Sequence, residues 1–187
     1  MATLHTMLPI IGDRVDTMTM PADTAYTLDS LDARLLDLLH EDPQIGVLGA
    51  ARVLGVARGT VQSRLDRMVA RGVITTFAPR LDPGAMGYPV TAFATLEIRQ
   101  GTGSEPVVRH LTSIPEVLEA HTITGDGDLM LRVVARDNAD LQRVIDLVVR
   151  HELVERSSTV IALSTKIAPR IQQLVTAAAG PTHGQQS

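Results

Sequence analysis

The 187-residue chain has no cysteine and no tryptophan, and its only aromatic rings besides histidine are Tyr26, Phe77, Tyr88 and Phe93. Without cysteine there are no disulfides, no thiolate nucleophile, and no cysteine-ligated zinc or iron–sulfur cluster. With so few rings, neither single-stranded nucleic acid nor a planar cofactor has much to stack on. No apolar run approaches the ~18 residues of a membrane helix. Met1 to Ile11 does not combine a basic stretch with a following apolar one, so no secretory signal is expected. These absences favour a cytoplasmic protein with no membrane partner. Catalytic machinery is equally thin. The histidines (5, 40, 110, 121, 151 and 183) include no pair at i,i+3 or i,i+4 spacing, and no P-loop, G-x-S-x-G or G-x-G-x-x-G is found. Asp126-Gly127-Asp128 is too short for a calcium loop. The expectation is a protein that is not an enzyme and has no metal and no cofactor.

What the chain does have is segregated charge. Between Ile45 and Arg80 there are six arginines (52, 58, 64, 67, 71 and 80) against one acid, Asp66, while the whole protein is net −4. That window is therefore +5 (six minus one) and the remainder −9. A small basic head on an acidic body points to a polyanionic partner. The basic residues also fall in a helix–turn–helix pattern, a common way for a compact module to enter double-stranded DNA.

Residues 1–27 show no periodicity and are expected to be a disordered tail. From Leu28 the pattern becomes helical: Asp29 is a plausible N-cap, Leu31, Leu35, Leu36, Leu38 and Leu39 form a stripe, and Pro43 stops it. Val47 to Leu54 reads as a second helix, Gly55-Val56-Ala57 as a tight turn, and Arg58 to Arg71 as a third helix closed by Gly72. With Val61 at zero and roughly 100° per residue, Val61, Leu65, Met68 and Val69 share the buried face. Thr60, Ser63, Arg64, Arg67 and Arg71 fall between roughly 200° and 300° beside it. Arginine can reach guanine bidentately, and small hydroxyls can bond a base edge or a phosphate. Arg58, Arg64, Arg67 and Arg71 are accordingly expected at phosphate or guanine, with Thr60, Gln62 and Ser63 supplying finer readout.

The β-branched run Val73 to Ala78 is expected to be a strand, making the head a winged helix–turn–helix over 28–80. Residues 81–87 form a linker through the turn Leu81-Asp82-Pro83-Gly84. Over 88–168, strands at Val90–Arg99, Val117–Thr124, Leu129–Ala135 and Val154–Ser164 alternate with helices at Ser104–Leu111 and around Leu141–Val149. Ser104 is the expected cap of the first helix, and His121 a half-buried strand residue. The order β-α-β-β-α-β is ferredoxin-like, so the fold class is α+β with two domains. One sheet face is left open, which a homodimer would cover. Residues 169–187 are expected to be a second tail.

The run from Leu28 through Leu35-Leu36-Asp37-Leu38-Leu39-His40-Glu41-Asp42 resembles the opening helix of Lrp/AsnC (feast/famine) transcriptional regulators. Gly59-Thr60-Val61-Gln62-Ser63-Arg64-Leu65, Gly72-Val73-Ile74 and Arg80-Leu81-Asp82-Pro83 are similar to that family's recognition helix and linker. Ile114-Pro115-Glu116-Val117 and Thr124-Gly125-Asp126-Gly127-Asp128 resemble its effector-sensing domain, so the likeness spans about 28–168.

The resemblance implies a winged helix–turn–helix followed by an αβ-sandwich (RAM) domain that dimerises and often assembles to octamers. It also implies a small effector, usually an amino acid, bound where sensing domains meet. By position, Gly125, Asp126, Gly127 and Asp128 would border that effector, with Thr159 and Val160 on the last strand. Glycine amides can hold a carboxylate and an aspartate an ammonium group, although Asp-Gly is also a good hairpin turn. Two positions depart from the family pattern. Ala57 stands where serine often precedes the recognition helix, and Gly127 where a larger residue often lies. Alternative readings are a non-specific DNA architectural protein and a sirohaem-decarboxylase-like enzyme on the same scaffold.

Overall fold

The computed structural model describes residues 26–99, 101 and 103–179. Most of the expected first tail, and the end of the second from 180, lie outside the described residues. The chain divides into two compact units: one up to Pro79 together with Ile167 onward, the other Arg80–Lys166.

The first unit is helical. Helix α1 (Ser30–Glu41) starts on Asp29, whose carboxylate accepts the Leu31 and Asp32 amides while Asp32 accepts the Asp29 amide, a reciprocal capping box. Helix α2 (Gly46–Leu54) ends on Gly55 in the left-handed region, φ 69°, which lets the chain turn within a few residues into α3 (Arg58–Ala70). Leu35, Ala50, Ala51, Leu54, Val61, Leu65 and Met68 form the core between these helices. At roughly 25 cal/mol per Å2 of apolar area, each such Leu, Val or Met side chain contributes about 1.5–3 kcal/mol, so the α3 stripe is what seats the helix.

Val73–Ala78 is not a strand. The β-propensity is real, but among the described residues this unit has no other strand to pair with, and a lone extended segment gains no ladder. A second difference lies at the C-terminal end. Within the expected tail 169–187, Gln172–Ala178 forms a seven-residue helix, α6, against α1, with the Gln172 side-chain amide donating to Asp37.

The second unit carries four antiparallel strands, β1 (Val90–Ile98), β2 (Val117–Thr122), β3 (Leu129–Ala135) and β4 (Val154–Ile161), in the order β2-β3-β1-β4. Helices α4 (Glu105–Thr112) and α5 (Asn138–Val148) complete the ferredoxin-like βαββαβ arrangement. Alternation sends Ala92, Ala94, Leu96, Leu129, Leu131, Val133 and Ala135 to the face that packs on Val107, Leu111, Leu141, Val144 and Val148. Phe93 and Met130 stand on the other face, each 37% exposed. Ser104 precedes α4 but makes no side-chain capping bond. His121 is exposed rather than half-buried, 3.5 Å from Glu119.

Candidate DNA-reading helix and effector loop

Helix α3 is shaped by what surrounds its ends. Gly72, φ 72°, closes it, with Gly72 N donating to Val69 O at 3.0 Å and Val73 N to Met68 O at 2.9 Å. At the other end Ala57 is the N-cap and supplies no side-chain bond, nor does Thr60 replace one. Val61 and Met68 are fully buried and Leu65 nearly so, which fixes the rotation of the helix. Of the seven residues expected at DNA, Arg58, Thr60, Gln62, Ser63, Arg67 and Arg71 are exposed.

They do not all share one face. Thr60, Ser63, Arg67 and Arg71 lie between about 200° and 280° from Val61, a continuous strip. Arg58 and Gln62 sit on the opposite flank, at about 60° and 100°. There the Gln62 amide donates to Asp66 at 2.7 Å, one turn on. The one acid on α3 is thus turned away from the strip.

Arg64 has partners within the protein. It is half-buried, and a single nitrogen, Nη1, reaches Asp32 Oδ1 at 2.6 Å and Asp29 Oδ2 at 2.7 Å. Asp32 is 1% exposed and also accepts the Tyr26 hydroxyl at 3.0 Å. The guanidinium expected at DNA joins α3 to the first turn of α1, 32 and 35 residues away in sequence. Burial works to raise the Asp29 carboxyl, but the Arg64 hydrogen bond and the Asp32 and Leu31 amides bring it below its ordinary value of 3.8.

Tyr26 was expected in the tail and is instead part of this cluster. Its hydroxyl accepts Arg67 Nε at 3.0 Å, and Arg67 Cζ stands 5.5 Å from the ring centroid. Burial and the bond to Asp32 push the Tyr26 hydroxyl up from its ordinary value. The sequence offered one signal, an aromatic ring three residues before an N-cap in a chain with very few rings.

In the second unit, the loop between β2 and β3 holds the expected effector residues. Gly125 and Gly127 have φ of 104° and 115°. Asp126 is exposed. Asp128 is largely committed to the fold: its amide donates to Leu96 O at 2.8 Å, its carboxylate accepts the Ile98 amide at 2.7 Å, and its carbonyl accepts Ile123 N. A Cβ on Gly127 would lie 2.3 Å from Thr95 Cγ2 and 3.2 Å from Leu96 O, so the loop seats itself against β1 through the missing side chain. That is the physical reason for the small residue at this position. Thr159 and Val160 pair with Ala94 and Phe93 and so point to opposite sheet faces. Thr95, which sequence reading missed, stands between the loop and Ser158 of β4.

Beside Asp128, a cleft of about 180 Å3 is lined by residues including Ile98, Arg99, Ser104, Thr122 and Ile123. Small-molecule sites generally run to about 300–1,000 Å3, so this cleft is small for a complete one. Among the described residues no cluster of three or more potential metal ligands occurs, and no helix is long and apolar enough to cross a membrane.

The two units match two known sequence families. Residues 28–69 match the AsnC-type helix-turn-helix domain, and residues 91–171 match the Lrp/AsnC ligand binding domain. The chain is 30% identical over 136 residues to the HTH-type transcriptional regulator FL11 of Pyrococcus furiosus, covering 73% of this chain and 89% of that one. It is 31% identical over 134 residues to the HTH-type transcriptional regulator AldR of Mycolicibacterium smegmatis, covering 70% and 78%. Among solved structures it resembles Escherichia coli AsnC, with a TM-score of 0.72, 26% identity and 79% and 99% coverage. A feast or famine regulatory protein from Mycobacterium tuberculosis, solved in complex with L-methionine, gives a TM-score of 0.68 at 25% identity, with 77% and 97% coverage.

Proposed function

The chain belongs to the Lrp/AsnC family of transcriptional regulators, and on that premise we propose that it is a sequence-specific regulator that reads DNA with one strip of α3 and answers to an amino acid. The observation that carries the DNA half is the strip Thr60-Ser63-Arg67-Arg71, exposed on a helix seated by its own core stripe, with Asp66 turned to the other flank. Two arginines and two hydroxyls at that spacing suit guanine and phosphate. Arg58 and Gln62 contact the backbone or flanking bases, and Arg64 shapes the head instead of touching DNA. The head comprises 28–80 together with α6, followed by the linker 81–87 and the sensing domain 88–168. We assign the protein no catalytic role and place it in the cytoplasm.

The assembly is a homodimer that presents two recognition helices about 34–36 Å apart to successive major grooves, giving a pseudo-palindromic site. Octamers built from such dimers follow from the family. The effector is of the amino-acid class, as in the mycobacterial relative bound to L-methionine, and it sits at the loop 125–128. The family resemblance puts the effector where sensing domains meet, so a second copy completes the site. Asp126, exposed at the loop tip, pairs the ammonium group. Gly125 and Gly127 offer backbone amides, and Asp128 shapes the loop. Thr159 and Val160 contribute from β4. The effector acts by favouring one assembly state over another.

Fluorescence anisotropy tests the DNA half, using the DNA upstream of its own gene and a shuffled duplex at about 150 mM salt. Tighter binding to the upstream DNA, by a hundredfold or more, is the expected result. Equal, salt-sensitive affinity for both would favour an architectural protein. Arg67→Ala is expected to weaken the specific site by about 1–3 kcal/mol if the side chain reads guanine. If it touches phosphate, the loss is uniform across sequences and the salt slope becomes shallower by about one unit.

Asp126→Ala tests the effector half. It should leave effector-free DNA affinity unchanged while shifting the concentration of amino acid needed for a response. An equal loss of DNA affinity without effector would make the loop purely structural.

A further inference from the structure

We propose that Tyr26, which lies before the matched helix–turn–helix segment, is a positioning residue that sets Arg67 for sequence discrimination. The inference rests on the reading of Arg67 as a DNA-contacting residue. An arginine on an exposed helix face ordinarily samples many rotamers, and a bidentate guanine contact demands one plane and one direction. Here three constraints act on the same guanidinium. Nε donates to the Tyr26 hydroxyl at 3.0 Å, Cζ stands 5.5 Å from the centre of the ring, and Nη2 lies 4.0 Å from Asp32 Oδ1.

The tyrosine is itself held from behind. Its hydroxyl donates to Asp32 Oδ2 at 3.0 Å, and Asp32 is fixed by Arg64 and by the amide of Asp29. The ring packs against the head core. A relay therefore runs from a buried carboxylate through a phenol to the arginine. Arg67 keeps 52% of its side chain exposed and has further N–H donors to offer. Preorganisation of this kind favours contacts that need geometry over contacts that need only charge.

The test is a double-mutant cycle of Tyr26→Phe and Arg67→Ala in the full chain. It is read on a duplex selected from a random-sequence pool by the wild-type protein and on a shuffled duplex. Tyr26→Phe keeps the ring and removes the hydroxyl. It should weaken the selected site by about five- to tenfold, the worth of one hydrogen bond, with little change on shuffled DNA or in the salt slope. In the Arg67→Ala background the same substitution should cost nothing further.

An equal loss in both backgrounds, or on both duplexes, would make Tyr26 merely structural and overturn the proposal. Tighter binding by Tyr26→Phe would mean that the tyrosine restrains Arg67, and would overturn it as well. No loss from Arg67→Ala itself would instead remove Arg67 from the interface, a failure of the earlier reading that the cycle keeps separate. A second measurement needs no variant. The Arg67 side-chain Nε–H of the free wild-type protein should exchange with solvent more slowly than that of Arg58, and equal rates would show that no relay exists.

Discussion

Replacing Arg64 with alanine is expected to destabilise the DNA-binding unit by about 3 kcal/mol, the lower end of what breaking a buried ion pair costs. Asp32 is 1% exposed and receives its shortest contact, 2.6 Å, from Arg64. Without that cation a desolvated carboxylate is left with the Tyr26 hydroxyl, the Asp29 amide and Arg67 at 4.0 Å. Urea unfolding followed separately in the two units should show the helical unit losing stability while the sheet unit stays unchanged. Arg64→Lys should recover part of the loss, because it restores charge but not the reach to both aspartates. A loss below about 1 kcal/mol would place the pair in the class of solvent-screened surface bridges.

The same variant separates shape from contact. Measured where it is still folded, Arg64→Ala should keep the wild-type salt slope for DNA, since no phosphate contact is lost; a slope shallower by about one unit would return Arg64 to the DNA. It should also change the response to acid. A carboxyl held low by folding, as Asp29 is, stabilises the folded state fully above its ordinary value of 3.8. That contribution disappears as pH falls through the lower folded value. Removing Arg64 takes away a principal cause of the lowering, so the acid limb of stability should flatten.

Gly127→Ala is the second large effect, with an expected cost of about 3 kcal/mol to the sheet unit, combining left-side backbone strain with overpacking. The new Cβ would stand 2.3 Å from Thr95 Cγ2, at a φ of 115° that L-residues avoid. Thr95 is β-branched and stiff at χ1, so it cannot swing aside cheaply. Gly125→Ala is the control. Its φ is 104° but nothing lies within 4 Å of the added atom, so it should cost only the strain, about 1 kcal/mol. Thr95→Ser in the Gly127→Ala background removes the clashing methyl and should recover part of the difference. Equal costs at both glycines would show that the contact with Thr95 relaxes freely. The loop's geometry therefore depends on β1 as much as on its own residues.

Local pattern carried much of the architecture. The leucine stripe of α1, the buried face of α3 and the alternation in β1 and β3 were all visible as periodicities, because burial imposes the period of each element. What escaped was set by partners distant in sequence. Helical spacing put Arg64 at the edge of the buried face but could not say that two aspartates 32 and 35 residues earlier would meet it there. Val73–Ala78 has the composition of a strand, yet strand formation is decided by a neighbouring ladder that the described residues of the helical unit do not contain. Helix α6 is short and lacks a capping side chain, so its signal lies in what it packs on. Gly127 looked like a turn glycine, and its requirement comes from a threonine in another strand.

The docking of α6 on α1 has a consequence in time. The helical unit is assembled from segments on either side of the sheet unit, which is encoded between them. On the ribosome, α1, α2 and α3 emerge before the sheet unit, but the segment that covers α1 is made only after it. The nascent head can bury its α1–α3 core early, yet it reaches its final form only after every sensing strand has been synthesised. Its completion thus follows synthesis of the whole sensing unit, and a chain cut short within that unit presents α1 with that surface bare.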